Sequence, residues 1–425
     1  MLELEVNGKQ LDIYRDTTIP FELNNFVFQG VNELFNSYSF NFVLPRSKNN
    51  QRILGFADML DSDSDAPELV CTVLWNGIEI FKGDLVMEEP GTGDYEVNLQ
   101  GKLKTELNNL ELQMGIPAYA LTESPLIEVD NTFWEGIINS GGVVRRRGRG
   151  TGYINLFLAF PYVHSALSAS LNSTDWEFEL NWDADLNLLL TPNFIGIGRD
   201  RITDDFRKHF PNNTTYLDTL EAMVTMFCLY VQPDVQNKKI LVGHCKDLLG
   251  KTPQLIKDQA PGHTKINYEG NKGYKFSYTN IQEVALEERQ ILYDPYTYGN
   301  GSNDIKSSFS FLPDIWEMDA GINPRAFMFY DASDDYAKYT GPNFSLQWPD
   351  LVTRFWTEWL DFLASTKLVK KNLYLTATEL AALDFTRPVH IDGFNFFVKQ
   401  LRTNIKANHD KRLPFVVQAE LLLIK

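Results

Sequence analysis

Six histidines (His164, His209, His244, His263, His390, His409) and three cysteines (Cys71, Cys228, Cys245) are the side chains that could ligate a metal or act as nucleophiles. That chemistry needs matched spacing. No two histidines stand four apart and no HExxH occurs, so the helical zinc-protease arrangement is excluded. His244 and Cys245 are adjacent at the end of an expected strand, where successive side chains point to opposite faces and would not converge on one ion. Three cysteines without paired spacing read as buried small hydrophobes rather than a disulfide framework or a zinc site.

Acidic clusters are the next candidates. The DSDSD run at 61–65 resembles the first half of a calcium loop. However, Ala66 stands where the sharp turn wants Gly, and Thr72 where a bidentate Glu closes the site. It reads as a solvated acidic loop. Asp183 and Asp185, in NWDADLN, share one face if that segment is extended, and could mimic a glycosidase acid pair. Such pairs come from different elements facing each other across a cleft, so a surface strand or turn is the expectation here. No GxSxG, no P-loop and no GxGxxG before a helix is present. The residue types therefore point to no catalytic residue, no metal and no cofactor, and the expectation is a protein that is not an enzyme.

Two basic stretches suggest contact with a partner instead. In VVRRRGRGTG (143–152), Arg145, Arg146, Arg147 and Arg149 lie among glycines. Arginine–glycine segments that bind single strands repeat the unit and interleave aromatics. This one occurs once, so a mobile loop meeting an acidic partner or a neighbouring subunit is expected. In SYSFNFVLPRSKNNQRILGF (37–56), Tyr38, Phe40, Phe42 and Leu44 alternate as one apolar face of a strand. Pro45 stops it, and Arg46, Lys48 and Arg52 follow in what reads as a solvated basic loop. These three are also candidate subunit or partner contacts.

The elements that must position these residues can be read along the chain. Asn7-Gly8 and Asn76-Gly77 each join alternating stretches, as a two-residue type I′ hairpin requires. WNGIEIFKGDLV (75–86) can be laid without a gap on IDGFNFFVKQLR (391–402), and another alternating strand follows each copy: DYEVNLQGKL and PFVVQAELLLI. Such internal repetition is a clue at the level of the fold. Between the ends, two helix-then-strand units are predicted. The first is PYVHSALSASLNSTDWEFEL. The second is TTYLDTLEAMVTMFCLYVQPDVQNKKILVG, with Leu217, Leu220, Val224 and Phe227 on one stripe and Thr214 or Thr215 as cap. Residues 270–350 read as long Tyr/Asn/Asp/Gly loops between short strands, and DLVTRFWTEWLDFLAST as a last helix.

The expected fold class is β-rich α+β, with two related β-barrel-like domains at the chain ends and mixed α/β insertions between them. The expected boundaries are 1–112 for the first barrel-like domain and 113–265 for a mixed α/β domain with two helix–strand units. Residues 266–425 then hold a loop-rich region and the second barrel-like domain. A chain of 425 residues exceeds one comfortable core. Its aromatic content of 13% favours strands. The net charge of −17 argues against general affinity for duplex DNA. No run approaches a membrane span, and no signal peptide is read at the start.

The order of segments carries a family resemblance. SYSFNFVLPRSKNNQRILGFAD is followed by LVCTVLWNGIEIFKGDL, then LDTLEAMVTMFCLYVQPDVQNKKILVGHCKDLL, then LDFTRPVHIDGFNFFVKQLR. In this order the chain resembles the tail-tip, or baseplate, hub proteins of tailed bacteriophages and prophages, over nearly its whole length. The resemblance implies a non-enzymatic virion tail component made in the bacterial host cytoplasm. It implies a homotrimeric ring whose two barrels per subunit form a pseudo-sixfold collar around a DNA channel. The implied partners are further copies of itself, the tail tube or distal tail protein, a spike or fibre protein, and the tape-measure protein. Related expectations are a distal tail adaptor or fibre-attachment protein. A cell-wall-degrading tail enzyme and a carbohydrate-binding surface protein with exposed Tyr-rich loops at 293–304 and 330–343 are the rivals from other classes.

Overall fold

The computed structural model describes residues 1–28, 42–55, 69–87, 98–105, 141–146, 156–171, 174–190, 215–234, 237–257, 264–267, 273–279, 292–311, 325–331, 336–410 and 412–425. The DSDSD run, Tyr38, Phe40, Arg147 and Arg149 lie outside them. The chain forms a β-rich α+β structure divided into two compact units. One comprises Met1–Asn109, Leu248–Glu269 and Ser365–Lys425, and the other Leu110–Asp247 and Gly270–Ala364.

The first unit holds two large sheets. One is six-stranded and antiparallel, in the order Lys9–Gln10, Leu2–Val6, Val70–Trp75, Ile78–Met87, Asn98–Thr105, Phe42–Pro45. The other runs Gln254–Leu255, Val389–Ile391, Phe394–Lys406, Phe415–Ile424, Leu368–Leu375, Lys265–Asn267, with Thr18–Asn24 added along the distal half of Phe394–Lys406. Period-two alternation decides which side chains face inward, as in the Leu2, Leu4, Val6 face of the first strand. Buried residues of both sheets, among them Leu4, Val73, Phe81, Leu103, Leu373, Leu401 and Val417, form one contiguous core. Each such side chain contributes about 1.5–3 kcal/mol relative to exposure. Among the described residues neither sheet closes on itself.

Three tight hairpins have both central residues at positive φ: Asn7-Gly8 (49° and 73°), Asn76-Gly77 (51° and 78°) and Asp392-Gly393 (53° and 81°). Trp75 pairs with Ile78 across the second loop, and Ile391 with Phe394 across the third. This is type I′ geometry, whose twist matches the flanking strands. Under the gapless alignment, Phe81 and Phe397 are both buried, as are Leu85 and Leu401. Each strand is followed by an antiparallel neighbour, Asn98–Thr105 and Phe415–Ile424.

The second unit is mixed. Thr215 caps the Tyr216–Phe227 helix in a full capping box with Asp218. The chain reverses at Cys228, in the left-handed region (φ 49°), into the antiparallel pair Leu229–Asp234 and Lys239–His244. Glu177–Asn181 pairs parallel with Lys239–His244. A long helix spans Trp348–Ser365 with a wide π turn at Val352–Trp356, and a short one, Ala377–Ala381, follows it in the chain.

Two readings are corrected here. The Tyr-rich stretch at 293–304 is not simply exposed loop. Tyr296–Tyr298 and Asn303–Ser307 are strands flanking Tyr274–Tyr278, and Tyr293 is buried against Phe311 with ring centroids 4.6 Å apart. Its hydroxyl donates to Phe311 O (2.8 Å), which lets a phenol sit in a core. Likewise the start of the arginine–glycine run is strand, since Gly141–Arg146 pairs antiparallel with Leu156–Pro161. This places Arg145 opposite Phe157 and Arg146 opposite Leu156.

Candidate functional site

Asp183, Asp185 and His244 are brought together in the second unit. Parallel pairing sets Asn181 beside Gly243, so the chain just beyond each strand meets the other. Asp183 then caps a short 3-10 turn, Ala184–Leu188, by accepting from the Asp185 N–H (3.1 Å). Of the strand or turn expected here, the turn is what forms, because a short carboxylate followed by a free N–H folds readily into a cap.

His244 is buried, and both ring nitrogens are in use. Nε2 accepts from the Asp183 N–H (3.0 Å), and Nδ1 faces Phe227 O (3.1 Å). A backbone N–H can only donate and a carbonyl can only accept, so the ring is neutral with its proton on Nδ1. Burial pushes its pKa down, against the opposing effect of the Phe227 carbonyl and the Asp247 charge. The imidazole stacks on Phe355, with centroids 5.0 Å apart and planes 13° from parallel.

Arg354, in the π turn beside Phe355, completes the cluster. Its Nε (3.2 Å) and Nη2 (2.5 Å) both donate to Asp183 Oδ2, and Nη2 lies 3.5 Å from Asp185 Oδ2. Asn343 Nδ2 donates to Asp185 Oδ2 (2.6 Å). The guanidinium lies 4.9 Å from the Phe344 ring centroid, and Lys246 Nζ donates to the Arg354 carbonyl (2.9 Å). Partial desolvation acts to raise the Asp183 pKa. The hydrogen bonds from Arg354 and the Asp185 N–H, with the nearby positive charge, outweigh it and hold the carboxyl below its ordinary range.

This arrangement fastens; it does not poise a proton. A glycosidase acid needs a carboxyl kept protonated near neutrality opposite a second carboxylate. Here Asp183 is held ionised, and both aspartates sit on one turn shared by a single arginine. Among the described residues, no group of three or more His, Cys, Asp or Glu could hold a metal ion.

The basic stretch after Pro45 is not a loop. Residues Lys48–Ile53 form a one-and-a-half-turn helix capped by Ser47, whose Oγ accepts from the Asn50 N–H (3.1 Å) and donates to Asp12 Oδ2 (2.5 Å). Asn50 is fully buried. Its Nδ2 donates to Asp12 O (2.9 Å) and Pro45 O (2.8 Å), and its Oδ1 accepts from the Asp12 N–H (2.7 Å). Lys48 and Arg52 are exposed and stand four apart, so they share a face, whereas Arg46 is half-buried. Arg145 and Arg146 belong to the other unit, on the strand described above.

Arg354 escapes sequence inspection, being 171 residues from Asp183. Its one signal is a lone cation within the apolar LVTRFW stretch.

Solved structures that match this chain along its length include tail proteins from bacteria and prophages and a component of a type VI secretion system. One is a tail protein from Neisseria meningitidis, at 9% identity and TM-score 0.43, covering 99% of this chain and 95% of that one. Another is the 43 kDa tail protein of a Shewanella oneidensis prophage, at 9% identity and TM-score 0.42, covering 100% and 98%. A third is a component of the Escherichia coli type VI secretion system described as similar to bacteriophage T4 tail proteins, at 7% identity and TM-score 0.38, covering 99% and 77%. At these identities and TM-scores they are broad likenesses only. No protein-family model and no curated protein sequence matches the chain.

Proposed function

We propose that this protein is a non-enzymatic structural component of a phage-type tail: a ring-forming hub that joins the tail tube to a spike or fibre complex around a DNA channel. The observation that carries the proposal is the repeated hairpin. Asn76-Gly77 and Asp392-Gly393 turns, in the same buried register, lie in two different sheets of one unit. Together with the order of sequence segments, this supports two related barrel-like halves placed side by side, which three subunits would arrange as a pseudo-sixfold collar. The domain partition 1–112, 113–265 and 266–425 belongs to this proposal. An acidic balance of −17 suits a channel that passes DNA without holding it.

In this reading Lys48 and Arg52, presented together on one helix face, and Arg46 beside them contact the next subunit or tail layer. Arg145, Arg146, Arg147 and Arg149 form a second contact. Charge complementarity of this kind speeds and orients docking. The further partners are the distal tail, spike or fibre, and tape-measure proteins, and the place of action is the virion tail.

The test is native mass at high protein concentration, because ring proteins dissociate when dilute. A trimer is expected. A hexamer would replace the hub with a distal adaptor, and a monomer at every concentration would end the ring reading. If a trimer forms, charge reversal of Arg46, Lys48 and Arg52 together should weaken it or its docking to a tail tube. Unchanged assembly would remove those residues from the interface.

A further inference from the structure

Two of the three cysteines meet in the second unit. Just beyond the last strand pair, Leu229↔His244, Cys228 caps one helix and Cys245 begins another, and the Cys245 N–H donates to Cys228 O (2.9 Å). A backbone N–H to carbonyl bond of this length holds the two Cα atoms within about 7 Å, the outer limit of what a disulfide bridges. Both residues are buried, and after burial itself the neighbouring Cys245 side chain helps push the Cys228 thiol pKa up. Neither takes part in the Asp183–Arg354–His244 cluster, yet Cys245 follows His244 directly and Cys228 follows Phe227, the two residues joined through the imidazole.

We infer that Cys228 and Cys245 are a redox site that closes into an intramolecular disulfide, stapling the end of the Tyr216–Phe227 helix to the strand end that carries His244. The oxidant class is a small disulfide such as oxidised glutathione. One protein thiolate attacks a reagent sulfur and releases one reagent thiol. The second protein thiolate then attacks the mixed disulfide and releases the other. The protein loses two hydrogens and the reagent disulfide gains them. Attack requires the thiolate. Burial shields both groups from the reagent, and the raised pKa of Cys228 holds it as the thiol, so the pair stays reduced until the hairpin opens or the surroundings become oxidising. Cys71, buried in the other unit with its pKa raised to about 12, has no such neighbour among the described cysteines.

The experiment uses the full-length chain as it stands. It is incubated with oxidised glutathione at mildly alkaline pH, with and without sub-denaturing urea, then alkylated, peptide-mapped and melted. The expected result is a Cys228–Cys245 cross-linked peptide, a whole-chain mass lower by two hydrogens, faster closure in urea, and a higher Tm that falls back on reduction. The inference is overturned if both thiols become alkylatable without ever cross-linking. It is also overturned if the bridge maps to Cys71 or to a second chain, or if the bridged protein melts lower than the reduced one. None of these outcomes depends on the tail reading.

Discussion

Replacing Arg354 by Met removes the guanidinium while keeping a side chain that covers Phe344. Two charge-assisted hydrogen bonds to Asp183 are lost, and Asp185 loses its nearest cation at 3.5 Å. A hydrogen bond to a charged group contributes about 1.5–3 kcal/mol. The two side chains are 32% and 25% exposed, so solvent screening keeps the sum well short of two full bonds. We expect a loss of about 2 kcal/mol, or about 4–8 °C in Tm for a unit of this size. A cycle with Asp183→Asn should return a coupling of about 1–2 kcal/mol, because the two side chains touch directly. The pH dependence follows from the sign of the shift. The Asp183 carboxyl lies below its ordinary value of 3.8 in the folded state, so its contribution is complete above about pH 4 and is lost as pH falls through the folded value. Differential scanning calorimetry of the four proteins between pH 3 and 7 tests this. A Tm within about 1 °C of wild type, or a coupling below about 0.3 kcal/mol, would refute the clamp.

His244→Gln should reduce the fall in Tm on acidification. The folded ring titrates below its ordinary 6.5, so its stabilisation is full above that pH and drains as pH falls toward the folded value. An unchanged slope counts against it, although His164, also lowered by burial, will keep part of the slope. Asn50→Ala removes three part-buried hydrogen bonds, to Asp12 O and Pro45 O and from the Asp12 N–H, and should cost about 2–4 kcal/mol by urea unfolding. Gly77→Ala and Gly393→Ala, both in open space at positive φ, should each cost about 1 kcal/mol, and costs differing severalfold would deny the two hairpins equivalent roles. Gly243→Ala should cost more than either, since its Cβ would meet the Tyr230 ring at 2.9 Å and Asn181 O at 3.0 Å.

Local chemistry made the hairpins and the capped helix legible in the sequence. Asx-Gly demands two positive φ values, and Thr215 with Asp218 offers the Tyr216 helix its first hydrogen bonds, whatever lies elsewhere. What could not be read depended on partners far along the chain. Ser47 looked like one more polar loop residue until Asp12 and the buried Asn50 gave a short helix its anchor. Asp183 and His244 were each visible, but their meeting requires the parallel pairing of 177–181 with 239–244. Tyr293 carries a phenol that composition assigns to the surface and a single carbonyl admits to the interior. The pairing of Thr18–Asn24 with residues 400–406 has no local signal at all.

That last pairing bears on how the polypeptide is made. Asn24 waits for Gln400, 376 residues later. At roughly 5–20 residues per second a ribosome needs on the order of 20–75 s to deliver the missing neighbour. Throughout that time the Thr18–Asn24 segment, with Ile19 and Phe21 destined for the core, lacks the strand it pairs with among the described residues. Nascent chains of this protein should therefore engage chaperones through their first two dozen residues and release them only as synthesis nears residue 406.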